Sequence, residues 1–434
     1  MSVINNLIVN KSDALYGKII IPGDKSISHR SIILGCITEG NLTIKNFLHS
    51  DDCLKTISAM KQLGANISVD KEIISISGKG LHGLTKPKNI IDAGNSGTLI
   101  RLLTGILATQ KFTSSLTGDS SLRSRPMERI IKPLSNCGAD IDSDDFKAPL
   151  IINPITELST IEYIQEIASA QIKSCLMLAA LFIEGIHTFS EKITTRDHTE
   201  NLLEHFGCNI ERSKNRTIIS GQQKLIANDI EISSDISSAA FFIVAALISK
   251  GSEIEIPDVN INKYRIGIIN ILKKMKADIN LKNIRTISNE EVADIEIKYS
   301  KLESVNIGGD IISTLIDELP ILFIACAVSN GTSYISGIEE LRYKESDRIK
   351  AMEEGLKAIG VDVSSTFDSI KIKGGKITGG KVDSYGDHRI AMSFAIAGII
   401  SKNSVTINNT ENIATSFPTF VDLMRQQGVN VFEI

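Results

Sequence analysis

The hydrophobic pattern of this chain repeats about every 70 residues. Each copy begins with Leu or Met, places Gly four residues later, and continues with a small residue, a polar residue and Ile or Val. The pattern predicts an amphipathic helix that ends at a Gly in the left-handed conformation and leads at once into a strand. In the fourth copy Lys276 replaces the Gly. The six copies span residues 60–67, 134–141, 203–210, 272–279, 356–363 and 424–431.

A second pattern recurs in step with the first. A polar, often Ser-rich start precedes a run that is apolar at nearly every position, and a short β-rich piece follows, as in residues 41–44 and 404–407. A helix that is apolar on nearly every side is buried on nearly every side. The six runs span residues 25–38, 95–108, 169–182, 233–248, 313–328 and 386–400.

Together the two patterns predict an α/β protein of six repeats, with three repeats in each of two domains. Each repeat supplies one buried helix, one amphipathic helix and several strands, and the polar starts of the buried helices gather on one face of each domain. If the two faces oppose each other, six helix N-termini point into a cleft and favour a polyanionic ligand. The alternative is that the polar starts are ordinary caps of core helices.

Composition narrows the function classes. A chain of 434 residues with 42% hydrophobic and 23% charged residues is typical of a globular protein with two domains. A net charge of −4 argues against nucleic acid as the main partner. The longest apolar runs, residues 176–183 and 241–248, are too short to span a bilayer, and the N-terminus lacks the pattern of a signal peptide. We therefore expect a cytoplasmic protein with no membrane partner.

The cysteines and histidines give no metal-binding pattern. Six Cys are scattered without a CxxC pair, which is typical of buried thiols in a reducing compartment. Seven His occur without HExxH or similar spacing. The sequence therefore predicts neither a metal site nor a disulfide set.

Arginine is concentrated where the polar helix starts lie. Of fourteen Arg, nine fall in or beside these segments, at positions 30, 101, 123, 125, 129, 196, 342, 348 and 389. The segment 22–30 (PGDKSISHR) follows a strand-like run and opens a helix with Lys25 and Arg30, two cations suited to phosphate or carboxylate. The alternative interpretation of this segment is a Ser helix cap followed by a solvent-exposed basic turn with no binding function.

Seven segments, in order and spacing, resemble the 5-enolpyruvylshikimate-3-phosphate synthases of the enolpyruvyl transferase family. The resemblance runs from about residue 20 to residue 418 and therefore covers nearly the whole chain. The segments are residues 22–30, 94–101 (GNSGTLIR), 123–127 (RSRPM), 169–171 (SAQ), 317–320 (DELP), 344–348 (KESDR) and 387–389 (DHR).

The resemblance implies a two-domain inverse α/β barrel built of six βαβαββ repeats around buried parallel helices. The implied N-terminal domain spans residues 22–232, on the shikimate 3-phosphate side. The C-terminal domain joins residues 1–21 to 233–434, on the phosphoenolpyruvate side, because the first strand pairs into it. The chain would cross near residues 21–23 and 231–235, and we expect a hinge there that closes on substrate.

The implied reaction transfers the enolpyruvyl group of phosphoenolpyruvate to the 5-hydroxyl of shikimate 3-phosphate and releases phosphate through a tetrahedral ketal. The resemblance implies no metal and no cofactor, and we expect a monomer. The site must hold two phosphates and two carboxylates, remove a hydroxyl proton, protonate a vinyl carbon and later deprotonate the resulting methyl group.

The family's functional residues map onto this chain motif by motif. Catalytic roles are implied for Lys25 as a shared cation and acid or base, Asp317 as acceptor of the hydroxyl proton and Glu345 for proton exchange at the vinyl carbon. The implied shikimate 3-phosphate contacts are Lys25, Ser26, Arg30, Ser169, Ala170 through its backbone N–H, Gln171, Arg196, Asp317 and Lys344. The implied phosphoenolpyruvate contacts are Lys25, Gly97, Arg125, Gln171, Arg348 and Arg389. Asp387 is interpreted as an N-cap and Arg101 as a buttress of the Asn95 loop.

Two positions bear on how far the resemblance extends. Many family members have Lys before the Ser/Thr-Phe-Pro near the C-terminus, but Thr415 stands here, so another cation would have to replace that phosphoenolpyruvate contact. Gly97 is retained where glyphosate-tolerant forms carry Ala. We therefore expect glyphosate to compete with phosphoenolpyruvate.

Two alternatives remain from the sequence. A sister enzyme transfers enolpyruvyl to UDP-N-acetylglucosamine, but it has Lys-Asn where Lys25-Ser26 stands and usually a reactive Cys near the position of Ser120. A non-catalytic repeat protein that binds an anion would keep the Arg residues and lose Lys25, Asp317 and Glu345, which are all present.

Overall fold

The computed structural model describes residues 6–70, 73–155 and 157–434, and it has the mixed α/β fold that the patterns predict. Three 3₁₀ helices span Gly309–Thr314, Glu339–Tyr343 and Glu411–Thr415. None of the helices in the described ranges is both long enough and apolar enough to traverse a bilayer. The α-helices are α1 (Lys25–Cys36), α2 (Asp51–Gln62), α3 (Gly97–Leu107), α4 (Ser120–Ser124), α5 (Glu128–Asn136), α6 (Ala170–Ala180), α7 (His198–His205), α8 (Ile236–Ile248), α9 (Gly267–Lys274), α10 (Leu319–Val328), α11 (Arg348–Ala358), α12 (His388–Ile400) and α13 (Phe420–Gln426).

The strands are short and most alternate between buried and exposed positions, which is typical of sheets with one face on a core. They are β1 (Asn6–Val9), β2 (Tyr16–Lys18), β3 (Glu39–Lys45), β4 (Asn66–Asp70), β5 (Ile73–Lys79), β6 (Ile91–Asp92), β7 (Ser114–Thr117), β8 (Asp140–Asp144), β9 (Lys147–Asn153), β10 (Glu162–Gln165), β11 (Ile186–Glu191), β12 (Ile210–Ser213), β13 (Arg216–Ser220), β14 (Ile230–Glu231), β15 (Glu253–Asn260), β16 (Asp278–Ile287), β17 (Glu290–Lys298), β18 (Asn306–Ile307), β19 (Thr332–Ser336), β20 (Asp362–Ser365), β21 (Ser369–Lys373), β22 (Gly380–Asp383), β23 (Val405–Asn408) and β24 (Val431–Glu433).

The described strands form six four-stranded sheets. In every sheet one edge strand pairs in parallel with its neighbour, as β6 does with β7 and β22 with β23. The sheet orders are β14-β3-β5-β4, β6-β7-β9-β8, β10-β11-β13-β12, β16-β17-β15-β2, β18-β19-β21-β20 and β22-β23-β1-β24. The sheets therefore share one strand arrangement, as expected for a repeated unit.

The chain divides into two compact units. The first unit joins the described residues up to Pro22 to Ser233–Arg285 and Glu291–Ile434, and the second unit consists of Gly23–Ile232 together with Thr286–Glu290. β1 lies between β23 and β24, and β2 pairs with β15, so the start of the chain belongs to the first unit.

Helices α1, α3 and α6 form the centre of the second unit, and α3 packs against both of the others. Gly105 permits a close approach of α3 to α6, because a Cβ there would lie 2.0 Å from the carbonyl oxygen of Cys175. The expected Ser cap of α1 is wrong: Asp24 is the N-cap, and its carboxylate accepts a hydrogen bond from the Ile27 N–H. A carboxylate satisfies this donor at least as well as a hydroxyl and also complements the helix dipole.

Helices α8, α10 and α12 pack against one another at the centre of the first unit. Aromatic rings of Phe241, Phe242, Phe417 and Phe420 contact each other beside α8. In the fifth run, residues 313–328, the polar start lies outside the helix: a 3₁₀ turn ends at Thr314, and α10 begins at Leu319. Pro320 can occupy the first turn of a helix but not its interior, which fixes this later start.

The predicted left-handed helix ends are confirmed. Gly64, Gly138, Gly207, Gly360 and Gly428 all have a positive φ between 74° and 102°. In the fourth copy the non-glycine residue also adopts this conformation, with a φ of 70°. The backbone geometry is therefore retained there despite the steric cost of a side chain.

A short hairpin tip belongs to the second unit although the strands on either side of it belong to the first. It consists of Thr286–Glu290, which comprises the end of β16, a turn and the first residue of β17. The turn residues Ser288 and Asn289 have positive φ. Within the second unit, the Glu290 carboxylate lies 2.7 Å from His198 Nδ1 and accepts a hydrogen bond from Asn201. The sequence patterns did not anticipate this insertion.

Candidate active site

Lys25 lies at the first position of α1, where the sequence predicted an anion-binding cation. Its ammonium forms an ion pair with Asp52 at 2.5 Å, and the two side chains are only 17% and 8% exposed. Asp52 comes from the first turn of α2. The sequence did not indicate Asp52 as a partner of Lys25, because an acidic residue in the first turn of a helix is commonly explained by its interaction with the helix dipole.

Arg30 lies one turn further along α1 and is buried. Nε donates to the Thr199 hydroxyl at 2.8 Å, Nη2 donates to the Ser174 hydroxyl at 2.8 Å, and Nη1 donates to the Ser26 carbonyl oxygen at 3.0 Å. These bonds fix the plane of the guanidinium between α1, α6 and α7. Arg30 and Ser26, two predicted shikimate 3-phosphate contacts, therefore adjoin each other.

His29 is buried beside these cations. Its Nδ1 lies 2.6 Å from the Thr56 hydroxyl. Burial, and then the positive charges of Lys25 and Arg30, hold the pKa of His29 well below its ordinary value. The imidazole is therefore neutral near pH 7 and adds no charge to the cluster.

Gly97 opens α3 between two guanidinium groups. A Cβ on Gly97 would lie 2.8 Å from Arg101 Nη1 and 3.3 Å from Arg125 Nη1. Arg125 donates to the Asn95 carbonyl oxygen at 3.3 Å and to the Asn95 side-chain oxygen at 2.7 Å. Arg125 thus holds Asn95 directly, while Arg101 Nη1 lies 3.5 Å from the Gly97 carbonyl oxygen at the end of the same loop.

Arg101 also orients Gln171. Its Nη1 donates to Gln171 Oε1 at 2.7 Å, while Gln171 Nε2 donates to the Thr98 hydroxyl at 3.0 Å. Both ends of this amide are thus held by α3. Because α6 begins at Ala170, with Ser169 as N-cap and no side-chain capping bond, Gln171 lies beside backbone N–H groups that have no helical partner.

Arg196 lies in the segment between β11 and α7 and is half-buried. It comes two residues before α7 begins at His198. The structure thus places the predicted residues of the second unit at the N-cap or in the first two turns of three central helices, directly after α4 in the case of Arg125, and in the loop before α7 in the case of Arg196. These residues are Lys25, Ser26, Arg30, Gly97, Arg125, Ser169, Ala170, Gln171 and Arg196.

The first unit holds a separate set around Arg348, the first residue of α11. Arg348 is 1% exposed and forms ion pairs with Asp387 at 2.7 Å, Glu345 at 2.5 Å and Asp317 at 3.7 Å. Burial opposes its charge, but the three carboxylates outweigh burial and raise the pKa of Arg348. Nη1 is buried and has no hydrogen-bond partner.

Asp387 serves two arginines. As predicted, it is the N-cap of α12: Oδ1 accepts a hydrogen bond from the Arg389 N–H at 2.9 Å. Its other oxygen accepts from Arg348 Nε at 2.7 Å. One buried carboxylate therefore holds the guanidinium of Arg348 and the backbone N–H of Arg389.

Asp317 is the centre of the remaining contacts. Its Oδ1 lies 3.6 Å from Lys344 Nζ, and its carbonyl oxygen accepts a hydrogen bond from Arg389 Nη1 at 3.0 Å. The structure thus brings together every residue predicted in this unit: Asp317, Lys344, Glu345, Arg348 and Arg389. We call these five residues and Asp387 the Arg348 cluster.

Arg342 and Asp347 close the loop that carries Lys344 and Glu345. Arg342 Nη1 lies 2.5 Å from Asp347 Oδ2, and its other nitrogens donate to the carbonyl oxygens of Thr366 and Phe367 at 2.7 Å. Asp347 also caps α11. The sequence places Arg342 among the arginines beside the motifs, but only the structure shows that it supports the loop carrying Lys344 and Glu345.

Thr415 lies at the end of a 3₁₀ turn, and its hydroxyl donates to the Asn412 carbonyl oxygen at 2.7 Å. It carries no charge to replace the family's Lys. Among the described residues, no group of three or more His, Cys, Asp or Glu has an arrangement that could hold a metal ion.

Comparison with known proteins gives similarity along nearly the whole chain. A family model described as EPSP synthase (3-phosphoshikimate 1-carboxyvinyltransferase) matches residues 9–424. The 3-phosphoshikimate 1-carboxyvinyltransferase of Coxiella burnetii strain CbuK_Q154 is 48% identical over 422 residues, covering 97% of this chain and 96% of that protein. That of Legionella pneumophila strain Philadelphia 1 is 48% identical over 417 residues, covering 96% of each. A solved EPSP synthase from Acinetobacter baumannii superimposes with a TM-score of 0.89 at 43% identity, covering 99% of both chains.

Proposed function

This chain belongs to the EPSP synthase family, the 3-phosphoshikimate 1-carboxyvinyltransferases, and on that premise we propose which of its residues carry the reaction. It is a transferase of aromatic amino-acid biosynthesis that moves the enolpyruvyl group of phosphoenolpyruvate to shikimate 3-phosphate. The observation that carries this function is the 48% identity to curated enzymes over 97% of the chain.

The Arg348 cluster is proposed to bind phosphoenolpyruvate. Arg348 has a buried nitrogen, Nη1, without a hydrogen-bond partner, so an anionic oxygen would satisfy a donor that is costly to leave unpaired. Arg389 adds a second guanidinium, whose Nη1 is held by the carbonyl oxygen of Asp317. In the second unit, Arg125 and Gly97, which has no Cβ to crowd the neighbouring guanidinium groups, are proposed to serve the same substrate.

The starts of α1 and α6 are proposed to bind shikimate 3-phosphate. Ser169 and the backbone N–H of Ala170 lie at a helix N-terminus, which favours an anion such as a phosphate. Gln171 is held by α3 with its amide oriented. The other proposed contacts are Lys25, Ser26, Arg30, Arg196, Asp317 and Lys344.

The proposed chemistry is addition followed by elimination. In the addition, the 5-hydroxyl oxygen bonds to C2 of phosphoenolpyruvate, its proton passes to Asp317, and C3 gains a proton from Glu345 to become a methyl group. In the elimination, phosphate leaves C2 with its bonding electrons and takes up the proton that Asp317 accepted, and a methyl proton returns to Glu345 to restore the double bond. Lys25, paired with Asp52, supplies positive charge to both substrates.

The finer architecture also belongs to this proposal. We propose the inverse α/β barrel of six βαβαββ repeats, with residues 22–232 as the shikimate 3-phosphate domain and 1–21 plus 233–434 as the phosphoenolpyruvate domain. Six sheets with one strand arrangement support it. We further propose that glyphosate competes with phosphoenolpyruvate and that the protein is a cytoplasmic monomer; six free cysteines support a reducing compartment.

The alternatives are not favoured. The near-full-length match to 3-phosphoshikimate 1-carboxyvinyltransferases argues against UDP-N-acetylglucosamine as acceptor. Lys25, Asp317 and Glu345 are each paired with neighbouring charges, which argues against a binding protein without catalysis.

One assay tests the function and the proposed roles. Phosphate release from phosphoenolpyruvate is measured with shikimate 3-phosphate or with UDP-N-acetylglucosamine, and release with the shikimate acceptor alone is expected. Lys25→Met should abolish release without lowering the melting temperature by more than a few degrees. The matched control is Lys18→Met, which removes an exposed lysine paired with Glu255 and should retain full activity. Full activity of Lys25→Met would contradict the role of Lys25.

A further inference from the structure

A buried lysine that the proposed reaction does not use lies just behind the start of α6. Lys173 is 2% exposed, and its ammonium contacts Glu191 at 2.9 Å and Glu200 at 2.8 Å. Both glutamate side chains are also buried. Burial opposes the charge of the lysine, but Glu200 and Glu191 outweigh it and raise the pKa of Lys173. The ammonium is therefore charged at any physiological pH.

The two glutamates flank one short segment of chain. Glu191 is the last residue of β11, and Glu200 lies in the first turn of α7. Residues 192–197, which include Arg196, connect these two elements. Lys173 thus ties both ends of this loop to α6, the helix whose first turn carries Ala170 and Gln171.

Glu191 also holds the loop from within. Its Oε1 accepts hydrogen bonds from the Thr195 N–H at 3.0 Å and from the Thr195 hydroxyl at 2.5 Å, while Oε2 contacts Lys173. The residue next to Thr195 is Arg196. The position of the Arg196 backbone is therefore set by a carboxylate that Lys173 itself holds in place.

A second polar layer joins the same two helices. The hydroxyls of Ser174 and Thr199 lie 2.6 Å apart, and Arg30 donates to both of them. Two consecutive residues of α6, Lys173 and Ser174, are thus bonded to the beginning of α7. This arrangement fixes the spacing between α6 and the loop that carries Arg196.

Stability alone does not account for this cluster. Buried ion pairs contribute little relative to apolar side chains of the same volume, because desolvation offsets their attraction. Here one ammonium faces two carboxylates, and Glu200 Oε2 is buried without a hydrogen-bond partner. Three apolar residues would fill this space without leaving such an atom unpaired.

We propose that Lys173, acting through Glu191 and Glu200, is a positioning residue that sets Arg196 at the correct distance from Ser169, Ala170 and Gln171 to bind shikimate 3-phosphate. This inference rests on the proposed function of those four residues. Lys173 touches no substrate in this account. It lowers the cost of substrate binding because the loop is already ordered before the substrate arrives.

The first test is binding of shikimate 3-phosphate, measured by calorimetry without phosphoenolpyruvate. Lys173→Met should raise the Kd about 10-fold or more, since small displacements of a binding group are costly. At saturating shikimate 3-phosphate, the KM for phosphoenolpyruvate should stay within about 2-fold of the unmodified enzyme. Lys224→Met is the control; Lys224 is 62% exposed, pairs with Glu39 in the same unit, and its replacement should change neither constant.

Two further variants keep the test decisive where Lys173→Met folds poorly. Thr195→Val retains the charges and removes one hydrogen bond to Glu191, so it should weaken shikimate 3-phosphate binding about 3-fold. The triple variant Lys173→Met with Glu191→Gln and Glu200→Gln removes all three charges, and it should fold and still bind weakly. An unchanged Kd in both variants would overturn the proposal.

The rate of trypsin cleavage at individual sites distinguishes a positioning role of Lys173 from a contribution to global stability alone. Cleavage after Lys192 or Arg196 in the native protein should become about 10-fold faster in Lys173→Met, and added shikimate 3-phosphate should slow it. Faster cleavage at every site, in proportion to lost global stability, would overturn the proposal.

Arg196→Gln separates this proposal from the assignment of the site. If Arg196→Gln leaves shikimate 3-phosphate binding unchanged, the site assignment fails and the positioning role fails with it. If Arg196→Gln weakens binding while Lys173→Met and Thr195→Val do not, the site stands and only the positioning role is lost.

Discussion

Asp387 binds the guanidinium of Arg348 through both carboxylate oxygens, at 2.7 Å and 3.4 Å, and caps α12 with one of them. The carboxylate is fully buried, so these contacts define its position. The same side chain therefore connects the start of α11 to the start of α12. It also orients the guanidinium of Arg348 without occupying the buried Nη1, which remains without a hydrogen-bond partner.

We predict that Asp387→Asn impairs use of phosphoenolpyruvate. Asn is also a good N-cap, so α12 keeps its first hydrogen bond, but the buried Arg348 loses a negative charge. The KM for phosphoenolpyruvate should rise about 10-fold or more in steady-state assays.

The Kd for shikimate 3-phosphate, measured alone, should change much less in this variant, because only Asp317 and Lys344 among the proposed contacts belong to the Arg348 cluster. Asp422→Asn is a suitable control, since Asp422 is exposed and pairs with Arg425 on the surface. An unchanged KM for phosphoenolpyruvate in Asp387→Asn would contradict the assignment of Arg348.

Gly97→Ala should make the enzyme less sensitive to glyphosate. The added Cβ would lie 2.8 Å from Arg101 Nη1, which must therefore move away. We expect the glyphosate concentration for half-inhibition to rise about 10-fold or more and the KM for phosphoenolpyruvate to rise with it. Gly375→Ala is the control, because no atom lies within 4 Å of its Cβ. Equal inhibition of both variants would argue against this position of glyphosate.

The buried His29 should make folding stability depend on pH. Its folded-state pKa lies well below the ordinary value of about 6.5, so the unfolded chain binds this proton more readily. Its contribution is fully present above pH 6.5 and is lost as the pH falls below it, with a slope of up to about 1.4 kcal/mol per pH unit.

Urea denaturation at several pH values between 5 and 7.5 checks this prediction. His29→Gln should be less stable than the unmodified protein at pH 7, where the bond to Thr56 is lost, but its stability should fall less between pH 7 and pH 5. Parallel curves for the two proteins would show that His29 does not titrate on unfolding.

The thiols should react slowly in the native protein. Burial raises the pKa of Cys36, Cys53, Cys175 and Cys326 to about 12, so almost no thiolate exists at pH 8. Cys137 is only half-buried and should react first. Titration with an aromatic disulfide reagent should detect about one fast thiol in the native state and six after denaturation. Several fast thiols in the folded enzyme would contradict this prediction.

Much of the fold is local and therefore visible in the sequence. Helix ends at Gly64 and its counterparts depend on residues within a few positions, and so the pattern predicts them directly. The cap of α1 was less accurate, because Asp24 and the nearby hydroxyls compete for the same backbone donors. The hairpin tip at Thr286–Glu290 depends on contacts with residues about 90 positions away, which no local pattern encodes.

The candidate site divides in the same way. The predicted substrate contacts lie in short motifs, whereas the residues that hold them come from distant segments. Asp52 pairs with Lys25 from the next helix, and Lys173 reaches Glu191 and Glu200 across a strand and a loop. Such partners look like ordinary surface charges until the fold shows that they are buried.

The hairpin tip has a consequence for dividing this chain into pieces. Residues 23–232 are continuous in sequence, yet the unit that they build also includes Thr286–Glu290. A fragment ending at residue 232 would leave His198 and Asn201 without the carboxylate of Glu290 that they share in the intact protein. Gene fusion, domain exchange or split-protein complementation in this enzyme should therefore keep residues 286–290 with residues 23–232, because the unit that appears separable along the sequence is completed only later in the chain.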